Sequence, residues 1–431
     1  MAARQVDLVV WGATGFTGRL VSQHLAASYP AASGVRWALA GRSRARLEAL
    51  RTELAVKYPA AADAPLLECA DTSNEAALDA VVGAGRVVLT LAGPYALYGK
   101  PLVASAVRTK THYCDITGES GFMADCIKDF DAPARAAGVC LVNSCGYDCV
   151  PWDLGASMAL RQLREAGVSG AVRVDGLVGA TQGGVSGGTI ASLMNALETP
   201  GSRGSGVHSL DPDWAGRPDR EPSAGPVYNA AAQRWTMLSV MASVNERIVH
   251  RSAALQPKLY GERGSFEYHE ATLAPGLFGA VVGTAAMASG LLMLLLKPTR
   301  ALLQRTLLPL PGQGPSEKVR EGGCFAGHFV ATEGAPAAGK APRRAYALVG
   351  VKGADPGYKA TSIMCCEAAL SLALQHEELP AAGRAGGLLT PAVALGDVLA
   401  ERLRKRGFTL SARLMQEGER MPETEVTTSA L

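Results

Sequence analysis

The feature that most constrains this chain lies near its start, where an apolar run from Val6 to Trp11 passes directly into Gly12-Ala13-Thr14-Gly15-Phe16-Thr17-Gly18. A short apolar run ending on glycine reads as a buried parallel strand. Glycines at this spacing permit a tight turn, a close approach of backbone to a pyrophosphate, and close packing of the helix that follows. The first-turn amides of that helix, together with its dipole, favour an anion. A glycine turn alone could be purely structural. Between a strand and a helix, with more such units behind it, the loop is read as a dinucleotide site.

Those further units follow at once. Leu20, Val21 and Leu25 share a helix face, as do Leu47, Leu50 and Leu54. Strands are expected at Val35–Ala40, Leu66–Cys69, Val87–Ala92, Tyr113–Ile116 and Val139–Val142. Strands alternating with helices imply a doubly wound parallel sheet, so the fold class is α/β with an N-terminal Rossmann domain over residues 1–155. Beyond it the texture changes. Gly, Ser and Pro cluster at Thr181–Gly188 and Pro200–Pro226, read as loops, while Val172–Val178, Gly323–Thr332 and Ala345–Val351 read as strands of a mixed sheet. This second α/β domain, for substrate binding or dimerisation, is expected over 156–390. The final stretch, 391–431, places Leu395, Val398, Leu399 and Leu403 on one helix face, expected to pack back on the first domain.

Composition narrows the function. A length of 431 residues favours two domains, and 42 Lys+Arg against 39 Asp+Glu is too balanced for a nucleic-acid binder. The nine cysteines include no CxxC pair, so neither a metal site nor a thioredoxin motif is expected. Their odd number, with a strand starting almost at the N-terminus, suggests reduced thiols inside the cell. Ser429-Ala430-Leu431 is only faintly similar to a peroxisomal address, lacking the basic middle residue.

The second strand ends in Ala40-Gly41-Arg42-Ser43-Arg44, where an NAD enzyme would usually carry Asp or Glu. Arg42, with Ser43 beside it, matches a 2′-phosphate, so NADP(H) is favoured over NAD(H); the alternative is that Arg42 lines a solvated loop. Asp71 is placed to meet the adenine end or to cap a helix. Ala92, Gly93 and Pro94 would turn the chain beneath the nicotinamide, with Tyr95 and Tyr98 either touching substrate or packing. His112–Glu119 and Cys145–Pro151 bring ionisable groups to the same edge, making Tyr147, Asp148 and Tyr95 the catalytic candidates. Helix capping is the competing role for Asp115 and Asp148. None of the 11 tyrosines has Lys four residues later, so the proton-transfer pair of short-chain dehydrogenases is missing.

Ala274–Leu296 carries no charge and is followed by Lys297, Arg300 and Arg305. Its length could span a bilayer, but a span would separate residues 298–431 from the rest of the fold. A monotopic contact with a membrane or lipid droplet, burial in an oligomer such as a homodimer, and a true span all remain open.

The chain resembles the saccharopine dehydrogenase-like oxidoreductases, which include trans-acting enoyl reductases. The resemblance rests on GATGFTG at Gly12–Gly18, AGRS at Ala40–Ser43, AGPY at Ala92–Tyr95, HYCDITGE at His112–Glu119 and SCGYDCVPWDLG at Ser144–Gly155. SGGTIASL at Ser186–Leu193, PGQGPS at Pro311–Ser316, DPGY at Asp355–Tyr358 and GGLLTPAVALGD at Gly386–Asp397 extend it over nearly the whole length. It implies a Rossmann domain, a second α/β domain, oxidoreductase activity, and an apolar segment associated with membranes or lipid droplets. Family members commonly have Phe at the position of Tyr147. Val185, Gly187, Gly188 and Thr189 are candidates for a substrate pocket. The expected activity is NADP(H)-dependent reduction of a C=C or C=N bond in an apolar or lipid-derived small molecule. Two alternatives stand beside it: a lipid-surface protein that keeps the fold without turnover, and a saccharopine enzyme of lysine metabolism.

Overall fold

The computed structural model describes residues 4–184, 206–214, 217, 219–221, 225–296, 298–299, 303, 313–336 and 339–422. Two seven-stranded sheets organise the chain. The first is built from β1 (Val6–Trp11), β2 (Trp37–Gly41), β3 (Leu66–Glu68), β4 (Gly85–Thr90), β5 (His112–Asp115) and β6 (Cys140–Val142). The second uses β7 (Val172–Gln182), β8 (Val227–Asn229), β9 (Arg234–Met237), β10 (Phe266–Leu273), β11 (Cys324–Glu333) and β12 (Arg344–Lys352). Two late strands, β13 (Gly387–Leu389) and β14 (Thr409–Leu414), complete one sheet each.

In the first sheet the order is β3-β2-β1-β4-β5-β6-β13, with every pairing parallel. Continuous apolar strands suit it because both faces are covered. Leu8 and Val10 join the core formed with Val21 and Leu25 of α1 (Phe16–Ser28) and with Leu47, Leu50 and Leu54 of α2 (Arg44–Lys57). Val9 and Trp11 point the other way, towards α3 (Glu75–Val82), α4 (Tyr95–Thr109) and α5 (Ser120–Ala137), where they join Leu78, Leu102 and Phe122. The strand order reverses between β1 and β4, where ligands bind in open sheets of this kind.

The second sheet is mixed, with order β14-β12-β11-β7-β10-β9-β8; only β7 and β10 run parallel. α6 (Val150–Glu165) leaves β6 and lies across β7, β11, β12 and β14, while α7 (Ala242–Leu255) packs on β10. Strands β8, β9, β10 and β14 were not expected from sequence, and Thr181–Gln182, read as loop, extend β7.

A linear division at residue 390 does not follow the fold. Gly387–Leu389, assigned to the second domain, pairs with β6 of the first sheet. Thr361–Leu374, likewise assigned there, forms a helix buried from Thr361 to Ala373 against β1, β4, β5 and α1. Conversely β14, within the stretch read as terminal helix and tail, edges the second sheet. The terminal helix (Gly396–Lys405) buries Leu399 and Leu403 against the 361–374 helix and reaches Tyr29 at the end of α1 through Arg402.

The apolar segment forms a helix over Leu277–Leu295 that stands away from the core: Ala280 is its one buried residue, while Phe278 is 83% exposed. Its base rests on Met237 of β9, whose sulfur lies against Gly283. Val227, Tyr228 and Val240 nearby are also exposed. All nine cysteines are unpaired.

Candidate functional site

Three turns at the carboxyl end of the first sheet form a cradle. After β1, Gly12 adopts φ +78°, and a Cβ there would press on Ala92 at 3.1 Å. At Gly18 a Cβ would lie 2.8 Å from Ala13 Cα, so glycine alone lets α1 pack against the turn. Gly15 precedes the helix, and neither a side-chain cap nor an acidic first-turn residue serves α1. The first-turn amides therefore have no intrahelical acceptor and are available to an anion. The hydroxyls of Thr14 and Thr17 make no hydrogen bond among the described residues. The Phe16 ring turns away, meeting Tyr358 edge-on at 5.2 Å and lying beneath Arg320, so only its backbone faces the cradle.

At the end of β2 the three polar residues diverge. Arg44 is engaged by Glu48 and by the Leu66 carbonyl. Arg42 is exposed and binds no partner among the described residues, and Ser43 precedes α2 without capping it. Both remain available to a phosphate. Asp71 accepts from the amide and hydroxyl of Ser73, which hold its carboxyl below the usual range, so it closes its own turn. Among the described residues no hydrogen bond or ion pair ties Asp71 to the cradle.

After β4, Ala92 abuts Gly12, and the Gly93–Pro94 peptide is cis. Tyr95 is a correction to the catalytic candidates. It is 4% exposed, its hydroxyl donates to the Thr90 carbonyl at 3.0 Å, and its ring packs on Phe122. Tyr98 is exposed on the outside of α4. Glu119 caps α4, accepting from the Tyr95 and Ala96 amides at 2.8 and 2.9 Å. Asp115 is structural as well. It accepts from the Thr117 and Ser144 amides, Asn143 Nδ2 and the Tyr113 hydroxyl, fastening the β5–α5 and β6–α6 turns together. Burial pushes its carboxyl up to about 6 despite these donors.

The β6–α6 turn carries Tyr147 and Asp148. Both keep a little contact with solvent although protein surrounds them closely, as at the floor of a narrow cleft. Tyr147 packs on Phe325 and Trp152, with Thr181 of β7 beside its hydroxyl. Burial, then the nearby Glu270, pushes its phenol up. Burial alone pushes Asp148 up to about 6, and its carboxylate makes no hydrogen bond among the described residues.

The second sheet contributes a residue that sequence reading missed. Glu270 of β10 shares the buried face of that strand with Phe266 and Tyr268 and has 0% exposure. One oxygen accepts from Ser239 at 2.8 Å, and the other has no partner of good geometry although Asn245 lies alongside. Burial lifts this carboxyl to about 8, against the lowering effect of Ser239 and Asn245. A glutamate in phase with aromatic core residues is the available sequence signal. Val185, Gly187, Gly188 and Thr189 lie outside the described residues, as do Lys297, Arg300, Arg305 and Ser429–Leu431. Among the described residues no His/Cys/Asp/Glu group could hold a metal.

The cradle fits a dinucleotide phosphate, and comparison with known proteins agrees. Residues 8–142 match the saccharopine dehydrogenase NADP-binding domain. A putative trans-acting enoyl reductase of Mycobacterium tuberculosis is 37% identical over 430 residues, covering 94% of this chain and 97% of the relative. The trans-acting enoyl reductase of Mycobacterium ulcerans is 35% identical over 432 residues, covering 95% and 98%. Saccharopine dehydrogenase (L-Glu forming) from Saccharomyces cerevisiae shares the fold, with a TM-score of 0.53, 13% identity and coverage of 95% of this chain and 100% of that one. The matched domain and the relatives together define an NADP-binding oxidoreductase. The chain belongs to the saccharopine dehydrogenase-like family, beside the relatives named as enoyl reductases.

Proposed function

We propose that the protein is an NADPH-dependent reductase acting on the C=C bond of an apolar, lipid-derived substrate at a membrane or lipid-droplet surface. The observation that carries this reading is Arg42 at the end of β2, exposed and without a partner among the described residues, beside a glycine cradle whose helix amides are open. The names of the relatives favour C=C over C=N. When bound, NADPH supplies the hydride. The chain's part is to hold the phosphates at the α1 amides and Arg42, and to shield the reacting bond between the β6–α6 turn and β10. Fluorescence titration should show NADPH binding tighter than NADH. Arg42→Ala should weaken NADPH about 10- to 100-fold, as expected for a charge-assisted phosphate contact, while leaving NADH unchanged. Equal losses for both cofactors would remove Arg42 as the discriminator.

The lipid surface is favoured by the helix over Leu277–Leu295, of candidate-span length yet almost wholly exposed, and by Val227 and Tyr228 beside its base. Replacing exposed Phe278 and Leu292 by Asp should release the protein from anionic vesicles in a flotation assay without changing NADPH affinity. A dimer that dissociates in the same variant, with no vesicle binding by the parent, would instead assign the helix to an interface between copies. A polycarboxylate substrate such as saccharopine is disfavoured because the arginines near Glu270 are engaged. Arg220 binds Glu246, and Arg247 donates to the Gly206 and Ser243 carbonyls. Turnover of saccharopine with NADP+ would reverse that judgement.

A further inference from the structure

We propose that Glu270 is the acid that protonates the substrate double bond, in place of Tyr147 or Asp148. This deepens the reductase reading and rests on it. Reduction of C=C requires a hydride at one carbon and a proton at the other. The hydride comes from the reduced cofactor. The Glu270 O–H bond breaks as the new C–H bond forms, and the carboxylate left behind regains its proton from water. The donor must therefore be un-ionised before reaction and must have a free oxygen near the nicotinamide end of the cradle.

Glu270 is held un-ionised by burial, and it lies beside the β6–α6 turn, which leaves the carboxyl end of the first sheet. It sits between the sheets, where the groups around it come from every neighbouring element. Tyr147, Asp148 and Cys149 lie on the β6–α6 turn, Glu246 and Asn245 on α7, and Tyr268 on its own strand; Arg220 reaches Glu246 from outside. Ser239 fixes one carboxyl oxygen, the strand amide of Glu270 is taken by Glu246 at 2.8 Å, and the second oxygen has no partner of good geometry among the described residues, with Asn245 alongside. A buried carboxyl with an orphaned oxygen costs stability in most proteins, and such groups concentrate at working sites. The alternatives are weaker acids or the wrong species. Burial raises Asp148 to about 6 and Glu270 further, to about 8, with Glu246 and Asp148 adding to the rise, so of the two carboxyls Glu270 holds its proton more firmly. Burial pushes the Tyr147 phenol up, which makes it the weakest acid of the three.

Glu270 is also connected to the lipid-facing helix. Ser239, which holds the carboxyl, follows Leu238, whose amide donates to Thr284 Oγ1 of that helix at 3.4 Å. β10 itself runs from Glu270 to the helix base within a few residues. A substrate entering from the apolar surface would thus meet the acid on the strand that leads out of it.

The test uses the full-length protein, NADPH, and a trans-2-decenoyl N-acetylcysteamine thioester as probe. Glu270→Gln should keep wild-type NADPH affinity and thermal unfolding while losing roughly 10²-fold or more of the rate. Glu270→Asp, which restores an acid, should recover part of it. In the parent the rate should be flat below neutrality and fall as pH rises through about 8, because the acid form is the active one. Ser239→Ala removes a hydrogen bond that favours the ionised form, so its alkaline limb should move to higher pH. Failure of the parent to bind NADPH would overturn the reductase reading. Probe reduction that survives in Glu270→Gln with an unchanged pH limb would overturn the role of Glu270 alone. An infrared difference spectrum between parent and Glu270→Gln at pH 7 needs no substrate. The C=O band of an un-ionised carboxyl should appear in it and shift when NADP+ is added. Absence of that band would overturn the proposal.

Discussion

Gly18→Val is expected to raise the dissociation constant for NADPH by at least about 10²-fold, close to 2.7 kcal/mol of lost binding energy. A Cβ at Gly18 would fall 2.8 Å from Ala13 Cα and 2.9 Å from Ala13 C, besides colliding with the Gly12 carbonyl. These are backbone atoms and cannot rotate away. α1 must therefore lift from the turn, carrying its first-turn amides out of reach of the phosphate. Gly15 is the control: its φ is an ordinary −73°, it is exposed, and a Cβ there would meet only the Gly12 carbonyl at 3.3 Å. Gly15→Ala should cost much less. Fluorescence titration of both variants checks the contrast, with circular dichroism to show that the helices persist. Tight NADPH binding by Gly18→Val would mean that the helix end does not hold the phosphate.

This glycine was legible in the sequence because its requirement is local: strand, turn and helix are consecutive, and the spacing states the geometry. The same holds for β1, β4 and β6, whose apolar runs reflect burial on both faces. What could not be read depends on partners far away in the chain. β13 is three residues long, and only its pairing with β6 makes it a strand. Glu270 offered no motif, because its environment is assembled from Ser239, Asn245 and the turn at Tyr147 and Asp148. Tyr95 misled for the converse reason. A tyrosine just after the Gly93–Pro94 turn looks placed for catalysis, yet the packing of Phe122 and the Thr90 carbonyl draw it into the core. The apolar segment was recognisable as a unit, but that it would stand exposed depends on β9 meeting only its base.

Glu367→Ala is expected to destabilise the fold by about 3–5 kcal/mol, the range for breaking a buried ion cluster by removing one member. The carboxylate sits on the helix buried under the first sheet, with only 1% of its side chain exposed. It accepts from Arg402 Nε and Arg406 Nε, both at 2.8 Å, from the Tyr29 hydroxyl, and from His24 at 3.1 Å. Burial opposes its ionisation, but the His24 hydrogen bond and the charges of Arg402 and Arg406 outweigh that and hold it down at about 2. Its folded-state value thus lies below the ordinary 4.5. The stabilisation is complete above that value and is lost as pH falls towards about 2. The cluster joins α1, the 361–374 helix and the terminal helix, so it fastens C-terminal segments to the first sheet. Alanine would leave two poorly hydrated guanidinium groups and the Tyr29 hydroxyl facing a void. Removing the charges together should therefore be milder than removing the acid alone. Glu367→Met combined with Arg402→Met and Arg406→Met should lie closer to the parent in urea-unfolding midpoint than Glu367→Met by itself. If the single variant is the more stable of the two, the cluster is not what anchors the terminal helix.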